Sequence, residues 1–210
     1  LNGALLNDAR YGRPGTEFED ALVLDGAGFA VVGGGNAPAL EVGKDNRDFS
    51  VSFWIRPSDS GRPGGPWRSV LYKGHEPTWP TDYNRTFAIW LLPDSNHIWF
   101  RITTSNNVDD GGGSQTQLAV GEWSHVAYVK AGVNLRLFIN GRLDSDVLLA
   151  GPVISNTDAL RIGGGPPGTP SFSGALDELR LYGVALGAED VGQLALDRWS
   201  GLPDPIANYH

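Results

Sequence analysis

Two stretches of this sequence concentrate side chains suited to gripping a polyhydroxylated ligand. Gly74 to Arg85 carries His75, Glu76, Trp79, Asp82, Tyr83 and Asn84, and Ser105 to Ser114 carries Asn106, Asn107, Asp109 and Asp110. A sugar presents flat C–H faces, on which an aromatic ring stacks, and many hydroxyls, which amides, carboxylates and imidazoles bond. Trp79 stands close to Pro77 and Pro80, a poor setting for a core residue. Trp67 ends a third loop, Ser58 to Arg68, rich in Gly and Pro. The candidate ligand-binding set is therefore Trp79, Tyr83, His75, Asp82, Asn84, Trp67, Asn106 and Asp109. The competing expectation for Trp79 is a lid folded over one end of the domain.

Composition limits what these residues can belong to. The chain has 210 residues and a formal charge of -8, so a nucleic acid, which demands a basic face, is not an expected partner. There is no cysteine, which excludes disulfides and thiolate metal sites. No apolar run approaches the roughly 20 residues of a membrane span. The chain opens on Leu1 rather than methionine, as a processed chain or a segment of a longer protein would. The 29 glycines, 14 prolines and 7 tryptophans read together as many short strands joined by tight turns.

The elements that must carry the loops are mostly strands. Val51 to Arg56 ends at Pro57; Phe87 to Leu92, a polar turn at Asp94 to Asn96, and His97 to Ile102 form a β-hairpin. Trp123 to Lys130 alternates, with Trp123, His125, Ala127 and Val129 on one side. Leu135 to Ile139 meets Asn140-Gly141, the strongest short hairpin signal, and Arg142 to Leu149 returns. Ala159 to Ile162 and Ala175 to Tyr182 add two strands, and Ala188 to Arg198 has helical spacing. No internal repeat or composition shift marks a boundary. One domain over residues 1–200 is expected, followed by a tail or linker at 201–210. Trp54 and Trp123 are expected between two packed sheets, where a large ring buries most area.

Four segments in order resemble the laminin-G-like jelly-roll domains of the concanavalin A-like lectin/glucanase superfamily. They are Ala21 to Gly26 with Phe29 to Val32; Phe49 to Pro57; Glu122 to Ala127 continued by Leu137 to Gly141; and Phe172 to Tyr182 followed by Ala185-Leu186 and the helix. The resemblance implies an all-β, two-sheet antiparallel jelly-roll sandwich with one short C-terminal helix. It also implies a structural Ca²⁺ joining an early Asp-Gly turn to a late Asp, here Asp25, the Gly26 carbonyl and Asp177, since hard cations take such oxygens. The competing expectation is that Asp25 caps a turn and Asp177 pairs with Arg180 or Arg161.

Enzymes of this superfamily need more than the chain offers. The Glu-x-Asp-x-x-Glu strand of retaining glucanases has no match, and Asp177 and Glu178, being adjacent, are expected on opposite faces of their strand. The Gln-x-His strand of alginate-lyase-like sandwiches is missing. His75, His97, His125 and His210 are scattered, and His125 reads as a core or edge residue. The glycine runs 33–35 and 163–165 lack the Lys-Ser/Thr of a phosphate loop. Asn84-Arg85-Thr86 fits the N-glycosylation pattern.

The expected function is a non-catalytic carbohydrate-binding module of a secreted, extracellular or periplasmic protein, ordered by Ca²⁺ and flanked by other domains. The alternatives are a protein–protein adhesion module without glycan affinity, and a divergent polysaccharide hydrolase or lyase.

Overall fold

The computed structural model describes residues 3–6, 10–11, 21–33, 40–78, 82–166, 169–198 and 201–209, the side chains of 3–6, 10–11, 76–78 and 82–83 excepted. In chain order the strands are β1 (Gly3–Leu6), β2 (Arg10–Tyr11), β3 (Leu22–Asp25), β4 (Phe29–Val32), β5 (Phe49–Pro57), β6 (Arg68–Thr78), β7 (Asp82–Leu91) and β8 (His97–Ile102). They continue with β9 (Asp110–Gln117), β10 (Ser124–Ala131), β11 (Asn134–Ile139), β12 (Arg142–Leu148), β13 (Leu160–Ile162), β14 (Ser173–Tyr182) and β15 (Ala207–Tyr209). One sheet runs β1-β4-β13-β6-β7-β8-β9; the other runs β12-β11-β10-β5-β14-β3-β2, with β15 from the tail paired to β14. All of these pairings are antiparallel, and the architecture is the expected jelly-roll sandwich.

Alternation along β5 shows how the residues choose their faces. Phe49, Val51, Phe53 and Ile55 are buried between the sheets, while Ser50, Ser52, Trp54 and Arg56 take the opposite face. The facing sheet contributes Leu71, Phe87, Ile89, Leu91, Ile98, Phe100 and Ile102. At the centre, Tyr128 packs against Phe49, Phe87 and Phe100 with ring centroids 5.9, 6.1 and 6.1 Å apart. Its hydroxyl donates to the Arg101 carbonyl at 3.4 Å.

The expected tryptophan core is corrected here. No tryptophan joins the inter-sheet layer among the described residues. Trp54 shares its face with Ser50, Ser52 and Arg56 and packs edge-on against His125, with centroids 5.5 Å apart. Trp123 precedes β10 and lies under the Arg56 guanidinium, 5.0 Å from its ring centre. Side-chain size favoured burial, but strand period decided the face.

Two segments read as loops are strands. Most of Gly74 to Arg85 belongs to the long β6–β7 hairpin, and Asp110-Gly111-Gly112-Gly113 opens β9. The glycines answer crowding: a Cβ on Gly112 would meet Val147 at 2.8 Å, and one on Gly113 the Trp99 ring at 3.2 Å. β12 then lies against β9 across the gap between the two sheets. There the Asp144 carboxylate accepts from the Gln115 and Thr116 amides at 2.7 and 2.9 Å, and the Ser145 hydroxyl donates to the Gly113 carbonyl at 2.8 Å.

Helix α1 (Ala188–Leu194) is shorter than its sequence pattern. Val191 and Leu194 pack on Ala127, Val129, Phe138 and Tyr182. Asp197 adopts the left-handed conformation (φ 55), with bonds from its amide to the Leu194 carbonyl and from the Arg198 amide to the Gln193 carbonyl. That pairing is a Schellman stop, with aspartate in the place usually held by glycine.

The two faces of β5 make a direct test. Phe53→Ala is expected to cost about 3–5 kcal/mol, and Trp54→Ala, next to it, distinctly less. Urea midpoints at unchanged slope measure both, and equal losses would restore Trp54 to the core.

Candidate functional site

The same alternation that fills the core populates the outer face of the seven-stranded sheet with rings. Trp90 on β7 stands directly opposite Trp99 on β8, and Tyr72 on β6 opposite Ala88. Tyr72 meets Trp90 edge-on with centroids 6.0 Å apart. Trp67, just ahead of β6, leans on Trp99 at 5.8 Å with the two planes tilted by 52°.

Two arginines back these rings. Arg101 follows Trp99 by two residues on β8, and its guanidinium lies 3.5 Å from the centre of the Trp99 ring. Arg85 reaches the same face through a bulge. The register passes from Lys73↔Phe87 to Gly74↔Arg85, leaving Thr86 as an extra residue and re-aiming Arg85. Gly74 permits this, since a Cβ there would sit 2.6 Å from the Asn84 carbonyl oxygen. The Arg85 guanidinium lies 5.1 Å from the Trp90 ring centre.

Asp109 joins the two cations. Its Oδ1 accepts from Arg85 Nη2 and lies 3.4 Å from Arg101 Nε. Arg85 and Arg101 are 2% and 7% exposed, whereas the Asp109 side chain is 41% exposed, so the outward charge is the carboxylate. Burial lowers the Arg101 pKa from its ordinary value, and Asp109 opposes that shift. Trp67, Trp90, Trp99, Arg85, Asp109 and Thr169 line a pocket of about 270 Å³.

Trp67 is held at the rim by its neighbour. The buried Arg68 guanidinium donates to the Asp59 carboxylate at 3.0 Å, the Asn96 side chain at 3.0 Å and the Leu92 carbonyl at 2.7 Å. One side chain thus pins the Gly/Pro-rich loop to the β7–β8 turn.

Of the expected ligand-binding residues, the pocket gathers Trp67 and Asp109. His75 and Asn84 face each other across the β6–β7 hairpin, engaged elsewhere: His75 lies 3.8 Å from Asp158, and Asn84 accepts from Asn156 at 3.3 and 3.4 Å. Asn106 donates to the Ala150 carbonyl at 2.7 Å, a loop-bracing bond. Asp82 and Tyr83 belong to β7, with side chains outside the described set, and Trp79 lies outside the described residues. Trp90, Trp99, Arg85 and Thr169 were not anticipated. The hairpin pattern contained a signal for the first two, because Ile89/Leu91 and Ile98/Phe100 claim the inner face.

Of the residues named for calcium, Asp25 and Asp177 stand apart along the sheet. Asp25 pairs with Ser173, while Asp177 lies four residues further along β14, opposite Trp54, a separation of about 13 Å at ~3.3 Å per residue. Asp25 Oδ1 accepts from the Ala27 and Gly28 amides at 2.9 and 3.3 Å, capping its turn. Asp177 Oδ1 accepts from the Glu178 amide, and Arg180 pairs with Glu178. The expected opposition of Asp177 and Glu178 is also corrected. A bulge with Glu178 at φ 52 seats Leu176, Leu179 and Leu181 in the core and leaves both acids outside it.

His125 packs behind Trp54 on the outer face of the second sheet. Burial, reinforced by the Arg180 charge, pushes its pKa down to about 4. Its Nδ1 has no hydrogen-bond partner among the described residues. The unfolded chain binds a proton below about pH 6.5 that the folded chain refuses down to about pH 4. Stability therefore falls as pH drops through that window, by up to roughly 3 kcal/mol. His125→Leu is expected to flatten this part of the pH–stability curve relative to wild type. Parallel curves for the two proteins between pH 6.5 and 4 would contradict the assignment.

Comparison with known proteins follows the fold. A family model described as the concanavalin A-like lectin/glucanases superfamily, Laminin_G_3, matches residues 32–192. No curated protein matches the chain. Among solved structures, domain 4 of AbnA, a GH43 extracellular arabinanase from Geobacillus stearothermophilus in complex with arabinotriose, is similar at 20% identity and a TM-score of 0.55, over 92% of this chain and 87% of that one. A botulinum neurotoxin type C structure, described with cell entry dependent on two ganglioside molecules, is similar at 14% identity and a TM-score of 0.66 over 93% of this chain. The binding domain of botulinum neurotoxin DC in complex with rat synaptotagmin II gives the same identity and TM-score. The chain spans 46% of each neurotoxin chain. At these identities the likeness concerns the fold.

Proposed function

This chain belongs to the concanavalin A-like lectin/glucanases superfamily, and from that premise we propose that it is a non-catalytic carbohydrate-binding module of a longer extracellular protein, with the Trp67–Trp99 pocket as its site. The observation that carries the proposal is the composition of that pocket. An exposed ring, Trp67, stands beside an exposed carboxylate, Asp109, and both are braced by buried arginines. Stacking on the ring and hydroxyl bonds to the carboxylate are the two contacts a sugar needs. Rigid bracing lowers the entropy lost when the ligand docks.

The arabinanase domain, solved with arabinotriose, supports a glycan as the ligand class. The description of that arabinanase as extracellular supports the location. No helix among the described residues is long and apolar enough to cross a membrane. Binding rather than hydrolysis is supported by the state of Asp109. Glycoside hydrolysis employs two carboxyl groups flanking the scissile bond, whereas this one is tied to Arg85 and Arg101.

Trp67→Ala is expected to weaken binding to neutral oligosaccharides, arabinotriose among them, at least tenfold, with the melting temperature unchanged because the ring is 43% exposed. Isothermal titration and a thermal melt read the two quantities. Unchanged affinity in a variant that melts like wild type would remove the pocket from the proposal.

A further inference from the structure

We infer that the pocket takes a single, uncharged glycan chain from solution and does not dock on a crystalline polysaccharide face. This rests on the carbohydrate reading above. Three observations point the same way: ring tilt, cavity size and the sign of the exposed charge.

A crystalline polysaccharide is a flat array, so a module that adsorbs to it needs several rings lying in one exposed plane. Here the planes of Trp67 and Trp99 diverge by 52° with their centroids 5.8 Å apart. When one lies flat on a surface, the other rises steeply from it. The remaining rings cannot extend the plane. Trp90 and Tyr72 are both buried, and the Arg85 guanidinium lies 5.1 Å from the Trp90 ring centre. A tilted pair instead cups one flexible chain.

The cavity is small. Its volume of about 270 Å³ lies just under the roughly 300–1,000 Å³ of pockets that engulf drug-sized ligands. It grips a unit or two of a chain whose remainder stays in solvent.

Charge narrows the ligand further. The guanidiniums of Arg85 and Arg101 lie behind Asp109, and the group facing solvent is the carboxylate. A uronate entering the pocket meets this like charge first and must displace Asp109 before reaching either arginine. The chain's net charge of -8 adds a long-range barrier against any polyanion. A neutral sugar meets Asp109 as an acceptor for its hydroxyls.

The test is a three-class comparison on the full chain and Trp67→Ala. Affinity electrophoresis uses soluble arabinan, xylan and mixed-linkage glucan as neutral chains, and polygalacturonate and alginate as charged ones. Depletion assays use microcrystalline cellulose and chitin. The expected result is retardation by at least one neutral soluble chain, lost in Trp67→Ala, with tenfold or weaker binding to the charged and crystalline classes. Trp67-dependent binding that is as strong on a crystalline or charged polysaccharide overturns the inference and leaves the carbohydrate reading standing. Absence of Trp67-dependent binding in every class overturns both.

Discussion

Four rings meet between the sheets, and the outer faces follow from them. Tyr128 packs among Phe49, Phe87 and Phe100, and its phenol, driven well above its ordinary pKa by burial, stays protonated and donates to the Arg101 carbonyl. That contact fixes the β8 backbone from the inside. With a side-chain period of two, Phe100 inside compels Trp99 and Arg101 outside. The cation that stacks on Trp99 therefore belongs to the residue whose carbonyl receives the core hydroxyl. Core and pocket are opposite faces of one strand, and a register slip that spoiled the first would invert the second.

This dependence explains what could be read without coordinates. Phe49-Ser50-Val51-Ser52-Phe53-Trp54-Ile55-Arg56 states its register plainly, because serines and arginine mark the outer face. Ring size favours burial of Trp54, but the serines and arginine that share its face place it outside the core. Asn140-Gly141 was legible for a local reason: φ values of 49 and 76 suit a tight hairpin turn. β9 was not legible, because Asp-Gly-Gly-Gly has the composition of a loop and becomes a strand only where Trp99, Phe100 and Val147 crowd it.

The pocket shows the same division. Trp67 and Asp109 stood out by type, but their meeting depends on events far apart in sequence. Arg85 faces Trp90 because Thr86 bulges, and the only local trace of that bulge is Gly74 on the opposite strand. The placing of Asp25 and Asp177 turns on register as well. Asp25 and Asp177 belong to neighbouring strands, and only their register shows that they pass each other four residues out of step. Residue type proposes chemistry, and pairing register decides which residues are neighbours.

One construction at the rim has a consequence for the protein among its own copies. An unpaired strand margin is a template on which a second polypeptide can grow, the usual start of fibrous aggregation. At the β9–β12 seam the Asp144 carboxylate takes the Gln115 and Thr116 amides, and Ser145 takes the Gly113 carbonyl. Groups that would invite a foreign strand are already occupied from within. The seam is thus a built-in guard against edge-to-edge pairing of this margin with a second copy.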